Sequence, residues 1–395
     1  MNDHHNKQRE RWNARVYFRL FSTLLCEVHA NRSQMNSQEE RDVYQVFATA
    51  LLVLQPRFFP GFTYPWLALL SHRLFIPAFL AGAGRSNGGW ETYARLLSTL
   101  FTNLGDLLGP SDASPVVQDF YRGVLRFLLM LHHDFPEFLI ENHLQLNSSI
   151  PVGCAQLHNI VNSAVSRAIM SEQPDPFTPG LKINRLDQVR QAPVVQPNID
   201  QILVDAHVKD AIERVCAGSE LRDDDYATVS SALGAAEGTV SPLIANALIV
   251  YIGVHATSAS SVFSSAAPPA RLLERLLRES SHAKRYQVVS AMMNQVRYVN
   301  AHTHYFSTAL QHMFSISSDE LKEQIMRVLV ERLMVPRPHP WGVIVMILEL
   351  VKNTTIDIWS MPWMKTAPQV VSMLVSLAQS HERMPRSPLG ANMGA

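Results

Sequence analysis

The stretch R-L-M-V-P-R-P-H-P-W-G-V-I-V-M-I-L-E, residues 332–349, decides the fold. Three prolines lie between Val335 and Trp341, and each lacks a backbone N–H and disfavours helical geometry at the residue before it. One helix therefore has to end near Val335, and the next has to begin near Trp341. A rigid corner between two apolar helices is typical of helical-repeat scaffolds, and this stretch offers no nucleophile, phosphate loop or ligand cluster.

The segments beside this corner carry apolar residues at the spacing of an amphipathic helix. Ser317 and Glu320 predict a capping box at the start of the upstream helix. Ser114 and Ser241, each followed directly by proline, predict two further helix starts. No alternating strand pattern interrupts the series, so the chain is predicted to be all-α. The other periodic segments are 12–29, 39–54, 64–81, 90–108, 116–131, 154–170, 199–216, 243–254, 270–279, 284–298, 304–315, 341–352 and 368–379.

A cluster of prolines between residues 173 and 198 divides the chain into an N-terminal and a C-terminal block. The fold class that fits the paired helices and short joints is HEAT-like helical repeats, an α-solenoid in two packed blocks. We expect the proline-rich connector to pack along the surface, because it also contains apolar side chains. The predicted regions are an N-terminal helical-repeat block over 1–172, a Pro-rich connector over 173–198, a C-terminal helical-repeat block over 199–381 and a disordered tail over 382–395.

Composition excludes several classes of protein. Lys plus Arg and Asp plus Glu each total 34, so no net charge attracts nucleic acid, although a local basic patch is compatible with this balance. Cys26, Cys154 and Cys216 are too widely spaced for a zinc motif, and their odd number favours buried free thiols over a disulfide framework. No apolar run approaches the ~20 residues of a membrane span, and the polar N-terminus does not resemble a signal peptide. We expect a soluble protein of the cytoplasm, or also of the nucleus.

No polar cluster has the pattern of a catalytic or metal site. The glycines of 82–89 lack the spacing and the following Lys-Ser/Thr of a phosphate loop, so this segment is expected to be a flexible surface loop, as is 253–269. The histidines show no H-E-x-x-H spacing, which favours capping and structural roles. Asp223 to Asp225 are expected to form a solvated helix start. We predict no enzyme activity, no cofactor and no metal site.

Five strings, in order, resemble one known family. Together they are similar to the C-terminal domain of the Not-one scaffold subunit of the CCR-NOT mRNA deadenylase complex, over roughly residues 15 to 380. The chain departs from the family pattern at 82–89, at 255–267 and in the Pro/Gly tail. The strings are P-G-F-T-Y-P-W-L-A-L-L-S-H-R-L-F-I (60–76), L-H-H-D-F-P-E-F-L (131–139), D-P-F-T-P-G-L-K (175–182), N-Q-V-R-Y-V-N-A-H-T-H-Y-F-S (294–307) and E-Q-I-M-R-V-L-V-E-R-L-M-V-P-R-P-H-P-W-G (323–342).

The resemblance implies a HEAT-type platform without activity of its own, forming one domain of a much longer scaffold. In the family, this domain docks the Not-two subunit and the Not-three or Not-five subunit. It also receives the Not-four ubiquitin-ligase subunit in fungi and short linear motifs of mRNA-specific repressors in animals. The implied role supports mRNA deadenylation, mRNA decay and translational repression, with RNA contact indirect or weak. Two other functions are alternatives to this scaffold role. The first is an α-solenoid that binds RNA directly, and the second is an all-α hydrolase.

Partner-binding residues are expected in the C-terminal block, which carries the densest series of these strings. A fragment of about 199–381 is predicted to retain the Not-two and Not-three type subunits, because aromatic and histidine side chains at helix ends suit an extended apolar peptide. Core packing is the alternative role for these side chains, and Trp341 is expected to be structural first. The candidates are Tyr298, His302, His304, Tyr305, Phe306, His339 and Trp341.

Overall fold

The computed structural model describes residues 12–109, 113–178, 180–195, 198–234, 240–259, 263–353 and 355–383, together with Lys7. Over these residues it contains α-helices and short 3-10 turns and no β-strand. The prediction of an all-α fold of helical repeats is confirmed. The predicted tail over 382–395 and the N-terminal end lie largely outside the described residues. By its contacts, the chain forms two compact units, Met1–Leu157 and His158–Ala395.

Among its described residues, the first unit contains eight complete helices, and a ninth continues across its boundary. Proline directly after Ser114 begins α6 as predicted, with the Ser114 side chain accepting a hydrogen bond from the N–H of Val117. The helices are α1 (Ala14–Ala30), α2 (Ser37–Val53), α3 (Thr63–Leu70), α4 (Phe75–Leu80), α5 (Gly89–Leu107), α6 (Pro115–Asp134), α7 (Pro136–Glu141), α8 (His143–Ser149) and α9 (Ala155–Asn162).

The core of the first unit is aromatic. The indole N–H of Trp66, a fully buried residue, donates to the carbonyl oxygen of Leu51 at 2.7 Å, so α2 and α3 are joined. The hydroxyl of Tyr93 donates to the carbonyl oxygen of Leu70 at 2.8 Å, and its ring packs near those of Phe75 and Phe79. These polar atoms are satisfied inside the core, so the large rings are buried without leaving unpaired donors.

The second unit contains the remaining helices. Between α10 and α11 the connector forms two short 3-10 turns, at Ile183–Arg185 and Asp187–Arg190. The helices are α10 (Arg167–Glu172), α11 (Ile199–Asp205), α12 (Lys209–Cys216), α13 (Asp223–Ala232), α14 (Pro242–Ala259), α15 (Pro268–Glu279), α16 (His282–Met293), α17 (Ala301–Ile316), α18 (Asp319–Leu333), α19 (Trp341–Lys352) and α20 (Pro368–Arg383).

A cluster of buried amides centres on Asn294, the residue directly after α16. Its side-chain oxygen accepts hydrogen bonds from Asn162 at 3.1 Å and from the Arg332 guanidinium at 2.8 Å. Its side-chain nitrogen donates to Asn246 at 3.0 Å, and Asn159 donates to the carbonyl oxygen of Arg332 at 2.6 Å. The helices α9, α14, α16 and α18 therefore meet at one network of paired polar groups, which fixes their relative positions.

Several local predictions were wrong. The helix predicted over 284–298 ends at Met293, and residues 294–300 form a buried non-helical segment instead. The helix that begins at Pro242 extends to Ala259, into the segment predicted as a flexible loop, of which 260–262 lie outside the described residues. The capping box at Ser317 and Glu320 does not form, because Ser318 precedes the helix and makes no side-chain cap bond. The three cysteines are free as predicted, but Cys26 is exposed.

Candidate functional site

The proline corner occupies the position that the sequence predicts and is fixed from several directions. Helix α18 ends at Leu333 and α19 begins at Trp341, whose ring is 6% exposed. The Trp341 indole N–H donates to the carbonyl oxygen of Pro174 at 2.7 Å. The backbone N–H of Gly342 donates to the carbonyl oxygen of Arg297 at 2.6 Å. The corner is thus joined to both the connector and the buried segment 294–300.

The connector packs on this corner, as its apolar residues predict. A small hydrophobic cluster contains Ile183 and Val189 from the connector, Trp341 and Val345 from α19, and Val299. Leu181 and Leu186 lie partly buried against the same cluster, and the backbone N–H of Ala301 donates to the carbonyl oxygen of Gln191 at 2.8 Å. Ordered connector backbone therefore covers one side of α17 and α19.

A cavity of about 500 Å³ lies between the connector, α17 and α19. This volume is within the range of small-molecule pockets, about 300–1,000 Å³. Its walls combine apolar side chains with several groups that form hydrogen bonds. The lining residues used below are Leu181, Lys182, His304, Ser307, Gln311, Val345, Leu348, Glu349 and Lys352.

Glu349 is the central polar group of this cavity. One carboxylate oxygen accepts the backbone N–H of Ile183 at 3.0 Å, and the other accepts the side-chain amide of Gln311 at 2.8 Å. Both donors are neutral, and among the described residues no cationic side chain forms an ion pair with Glu349 within 4.0 Å. The carboxylate is therefore held in position by two neutral donors.

His304 and Ser307 lie one helical turn apart on α17 and line the same cavity. Burial lowers the pKa of His304, and the nearby Glu349 carboxylate opposes part of this shift. The imidazole is therefore neutral at physiological pH and presents an acceptor nitrogen. Ser307 is 2% exposed, and its hydroxyl has no hydrogen-bond partner.

Five of the seven predicted partner-binding residues lie in the core of the second unit. Tyr298, His302, Tyr305, Phe306 and Trp341 are each at most 6% exposed. His302 lies against Gln295 at 3.2 Å, and burial together with the Arg297 charge lowers its pKa to about 3. The Tyr305 ring packs edge-on against Phe306 with centroids 5.1 Å apart. Core packing, the alternative role, accounts for the position of all five in the isolated chain.

His304 and His339 are half-buried and reach the surface. A His339 ring nitrogen lies 2.9 Å from the carbonyl oxygen of Val335, which fixes the ring across the corner. Burial lowers the pKa of His339, so this side chain is also neutral at physiological pH. A direct role of either histidine in partner binding stays a prediction.

The sequence reasoning missed Glu349 and Ser307. The sequence contained one signal for Glu349, because this residue is the single acid of the apolar helix Trp341–Lys352. An isolated acid in such a helix requires a partner or a function. Ser307 gave no comparable signal, since serine in a helix ordinarily bonds to its own backbone.

The acidic run Asp223 to Asp225 begins α13, but the solvated cap predicted there is wrong for Asp225. Its side chain is 1% exposed and forms ion pairs with Arg214 and, at 3.1 Å, Arg222. Hydrogen bonds from Arg222 lower the pKa of Asp225 to about 2, with Arg214 contributing. The third acid of the run is thus a buried anchor between α12 and α13.

Metal-binding clusters and membrane-spanning helices are both absent over the described ranges. Within them, no three or more His, Cys, Asp or Glu side chains are grouped so as to hold a metal ion. No helix among these residues has the length and hydropathy needed to cross a bilayer.

One known family matches most of this chain. Residues 25–378 match the family described as "CCR4-Not complex component, Not1". The chain is 32% identical over 98% of its length to the Schizosaccharomyces pombe "General negative regulator of transcription subunit 1", and 30% identical over 95% to the Saccharomyces cerevisiae protein of the same name. It is 28% identical over 99% of its length to the Caenorhabditis elegans "CCR4-NOT transcription complex subunit let-711". It spans only 18%, 19% and 16% of these relatives, respectively.

Two solved structures share this fold. The NOT1 superfamily homology domain from Chaetomium thermophilum is 31% identical, with a TM-score of 0.88 over 96% of this chain and 77% of that chain. A Not1 C-terminal domain in complex with Not4 is 27% identical, with a TM-score of 0.76 over 91% of this chain and 76% of that chain.

Proposed function

The chain belongs to the Not1 component family of the CCR4-Not complex, and from this membership we propose that it is a non-catalytic docking platform for other subunits of that complex. The observation that carries the proposal is the family match over residues 25–378, together with the likeness to a Not1 C-terminal domain solved in complex with Not4. The finer proposal is that the chain docks Not2 and Not3 or Not5 type subunits, and also Not4 or short motifs of mRNA-specific repressors. By holding these regulators on one scaffold, it supports mRNA deadenylation, decay and translational repression in the cytoplasm, and also acts in the nucleus.

We propose that the partner surface lies on the predicted C-terminal block, 199–381, together with the connector, 173–198. The connector belongs with that block because Trp341 and Val345 pack directly on Ile183 and Val189. Partners that bind in extended form gain affinity from many modest contacts along their length, so any one substitution weakens binding only in part. His304 and His339 are the predicted contact residues that reach the surface.

Co-expression tests this proposal. The full chain is purified with Not2, Not3 or Not5 and Not4 type subunits, and complex formation is followed by size-exclusion chromatography at near-physiological salt. We expect a stoichiometric complex with the Not2 and Not3 type pair. The chain alone should neither shorten a poly(A) substrate nor hydrolyse ATP. If the chain captured no subunit but bound single-stranded RNA tightly, the platform proposal would be wrong and direct RNA binding would be supported instead.

A further inference from the structure

The loop that joins α4 to α5 contains the only Asn-Gly pair of the sequence, Asn87-Gly88. Asparagine is a chemically labile residue type. Glycine after it removes the main obstacle to reaction, because glycine has no Cβ and adopts backbone angles that other residues avoid. Gly88 has a φ of 79° and directly precedes α5. Asn87 is exposed, so water reaches its side-chain amide.

The Asn87 side chain is folded back along the main chain. Its Oδ1 accepts a hydrogen bond from the backbone N–H of Gly89 at 3.2 Å. Because this bond spans Gly88, it brings the side-chain carbon Cγ of Asn87 beside the Gly88 nitrogen. The same bond polarises the Cγ–Oδ1 group and stabilises negative charge on Oδ1 when a nucleophile adds to Cγ.

The Gly88 nitrogen is available as this nucleophile. The backbone N–H groups of Ser86 and Asn87 both donate to the carbonyl oxygen of Ala83, at 3.0 and 3.1 Å, so the residues before Gly88 are fixed. Among the residues that the structure describes, no protein group accepts the N–H of Gly88. Its proton therefore faces solvent, where a base can remove it.

We propose that Asn87 is a self-modification site, which the folded chain converts to aspartate and isoaspartate without an enzyme. The Gly88 nitrogen loses its proton to solvent and bonds to Cγ of Asn87, which closes a five-membered succinimide ring. The bond from Cγ to the side-chain nitrogen breaks, and ammonia leaves. Water then opens the ring at Cγ to give aspartate, or at the backbone carbonyl carbon to give isoaspartate. One water is consumed, and nothing is oxidised or reduced.

The two products have different effects on the joint between α4 and α5. Aspartate adds a negative charge at the N-terminal end of α5, where the helix dipole favours it. Isoaspartate places the side-chain methylene in the main chain and lengthens the backbone directly before Gly88. Gly89 is tightly packed, because a Cβ there would lie 2.6 Å from the carbonyl oxygen of Phe79. Isoaspartate therefore disturbs this contact and the neighbouring bond from the Trp90 indole to the carbonyl oxygen of Leu80.

Asn36 is the matched control within the same chain. It is also exposed, precedes α2 and accepts a backbone N–H two residues ahead, that of Gln38, at 2.9 Å. The residue after it is Ser37, whose Cβ hinders the approach of the backbone nitrogen to Cγ of Asn36. The comparison of Asn36 with Asn87 therefore isolates the contribution of Gly88.

Ageing of the unaltered full chain tests the inference. The chain is incubated in mildly alkaline buffer, and its peptides are analysed by mass spectrometry at successive times. We expect a gain of about 1 Da at Asn87, as an amide becomes an acid. The rate should be at least about tenfold that at Asn36, since only Gly88 lacks a Cβ. Equal rates at the two residues would overturn the assignment.

A second sample, unfolded in guanidinium chloride, measures what the fold contributes. We expect Asn87 to react at least as fast in the folded chain, because the bond from Gly89 exists only there. Slower reaction in the folded chain would show that the loop protects Asn87 and would contradict the proposal.

Isoaspartate is measured separately, with a protein-isoaspartate methyltransferase and labelled S-adenosylmethionine. The aged chain should accept methyl groups, and Asn87→Gln should lose most of this signal, because glutamine would have to close a six-membered ring. An undiminished signal in Asn87→Gln would place the reactive residue elsewhere and overturn the site.

Discussion

The indole N–H of Trp341 donates to the carbonyl oxygen of Pro174 across 2.7 Å, which joins two residues 167 positions apart in the sequence. Trp341 is the first residue of α19, and Pro174 lies at the start of the connector. This bond fixes the connector beside α19 and thereby forms one side of the cavity that contains Glu349. Stability of the corner and geometry of the candidate site are therefore linked.

Replacing Trp341 with alanine should lower the free energy of unfolding by about 3–5 kcal/mol, because the change removes a buried ring and leaves a cavity. Trp341→Phe retains most of the ring and should cost about 1 kcal/mol, mainly from loss of the bond to Pro174. Urea unfolding followed by circular dichroism measures both. Trp359→Ala is the control, since that ring is 37% exposed and should matter less. Equal stability of Trp341→Ala and the unaltered chain would show that the ring does not support the corner.

Gly342→Ala should destabilise the chain by about 3 kcal/mol through overpacking. A Cβ at this position would lie 2.7 Å from the Thr303 side chain and 2.9 Å from the Arg297 carbonyl oxygen. The carbonyl belongs to backbone and cannot rotate away. Gly153→Ala is the matched control, because a Cβ there meets no atom within 4 Å and should change stability by under about 0.5 kcal/mol. Thermal unfolding of both variants measures the difference, and equal stability of Gly342→Ala and Gly153→Ala would contradict the overpacking at Gly342.

His302 should make stability depend on pH in the acid range. Its pKa is lowered from 6.5 to about 3 by burial and by the Arg297 charge, so the unfolded chain binds the proton more tightly. Its contribution is complete above pH 6.5 and is lost as the pH falls towards 3, with a slope of at most about 1.4 kcal/mol per pH unit. His302→Gln should flatten that part of the urea-unfolding profile. His158 also has a lowered pKa, so some acid dependence should remain. An unaltered slope would mean that His302 is accessible to protons in the folded state.

Asp225→Asn should lower stability by about 1–3 kcal/mol near neutral pH, because Arg214 and Arg222 then lose a charged acceptor. The pKa of Asp225 is lowered to about 2, so the stabilisation is present above pH 4 and disappears as the pH falls through 2. The difference from the unaltered chain should shrink accordingly in acid. Asp224→Asn, at the exposed neighbouring position, is the control and should have little effect. If both variants behaved alike, Asp225 would not be a buried anchor.

The helix boundaries at the corner could be predicted because proline acts locally. Between Val335 and Trp341 the prolines forbid helix whatever surrounds them, and α18 and α19 end and begin accordingly. The end of α16 could not be predicted in this way. Residues 294–298 belong to the segment predicted as helical from its apolar pattern, but Asn294 bonds to Asn162 and Asn246, and Asn300 caps α17. Contacts between distant segments override the local preference there.

The candidate site is harder to predict for the same reason. His304 was selected from its sequence context, and the structure places it in the cavity wall. Glu349 and Ile183 are 166 residues apart, and their contact depends on how the connector folds back. Tyr305 and Phe306 have the residue types of a binding surface, yet those types also fill cores, and burial is decided by packing that a single sequence does not display.

Hydrogen exchange of the full chain, measured with and without a Not2 and Not3 type subunit pair, tests the platform proposal most directly. We expect a stable complex in which new amide protection falls within residues 158–383, including the connector at 176–184 and the exposed ends of α17 and α19. Protection confined to the first unit, Met1–Leu157, would contradict the assignment of the partner surface. No protection at saturating subunit concentrations would contradict the docking function itself.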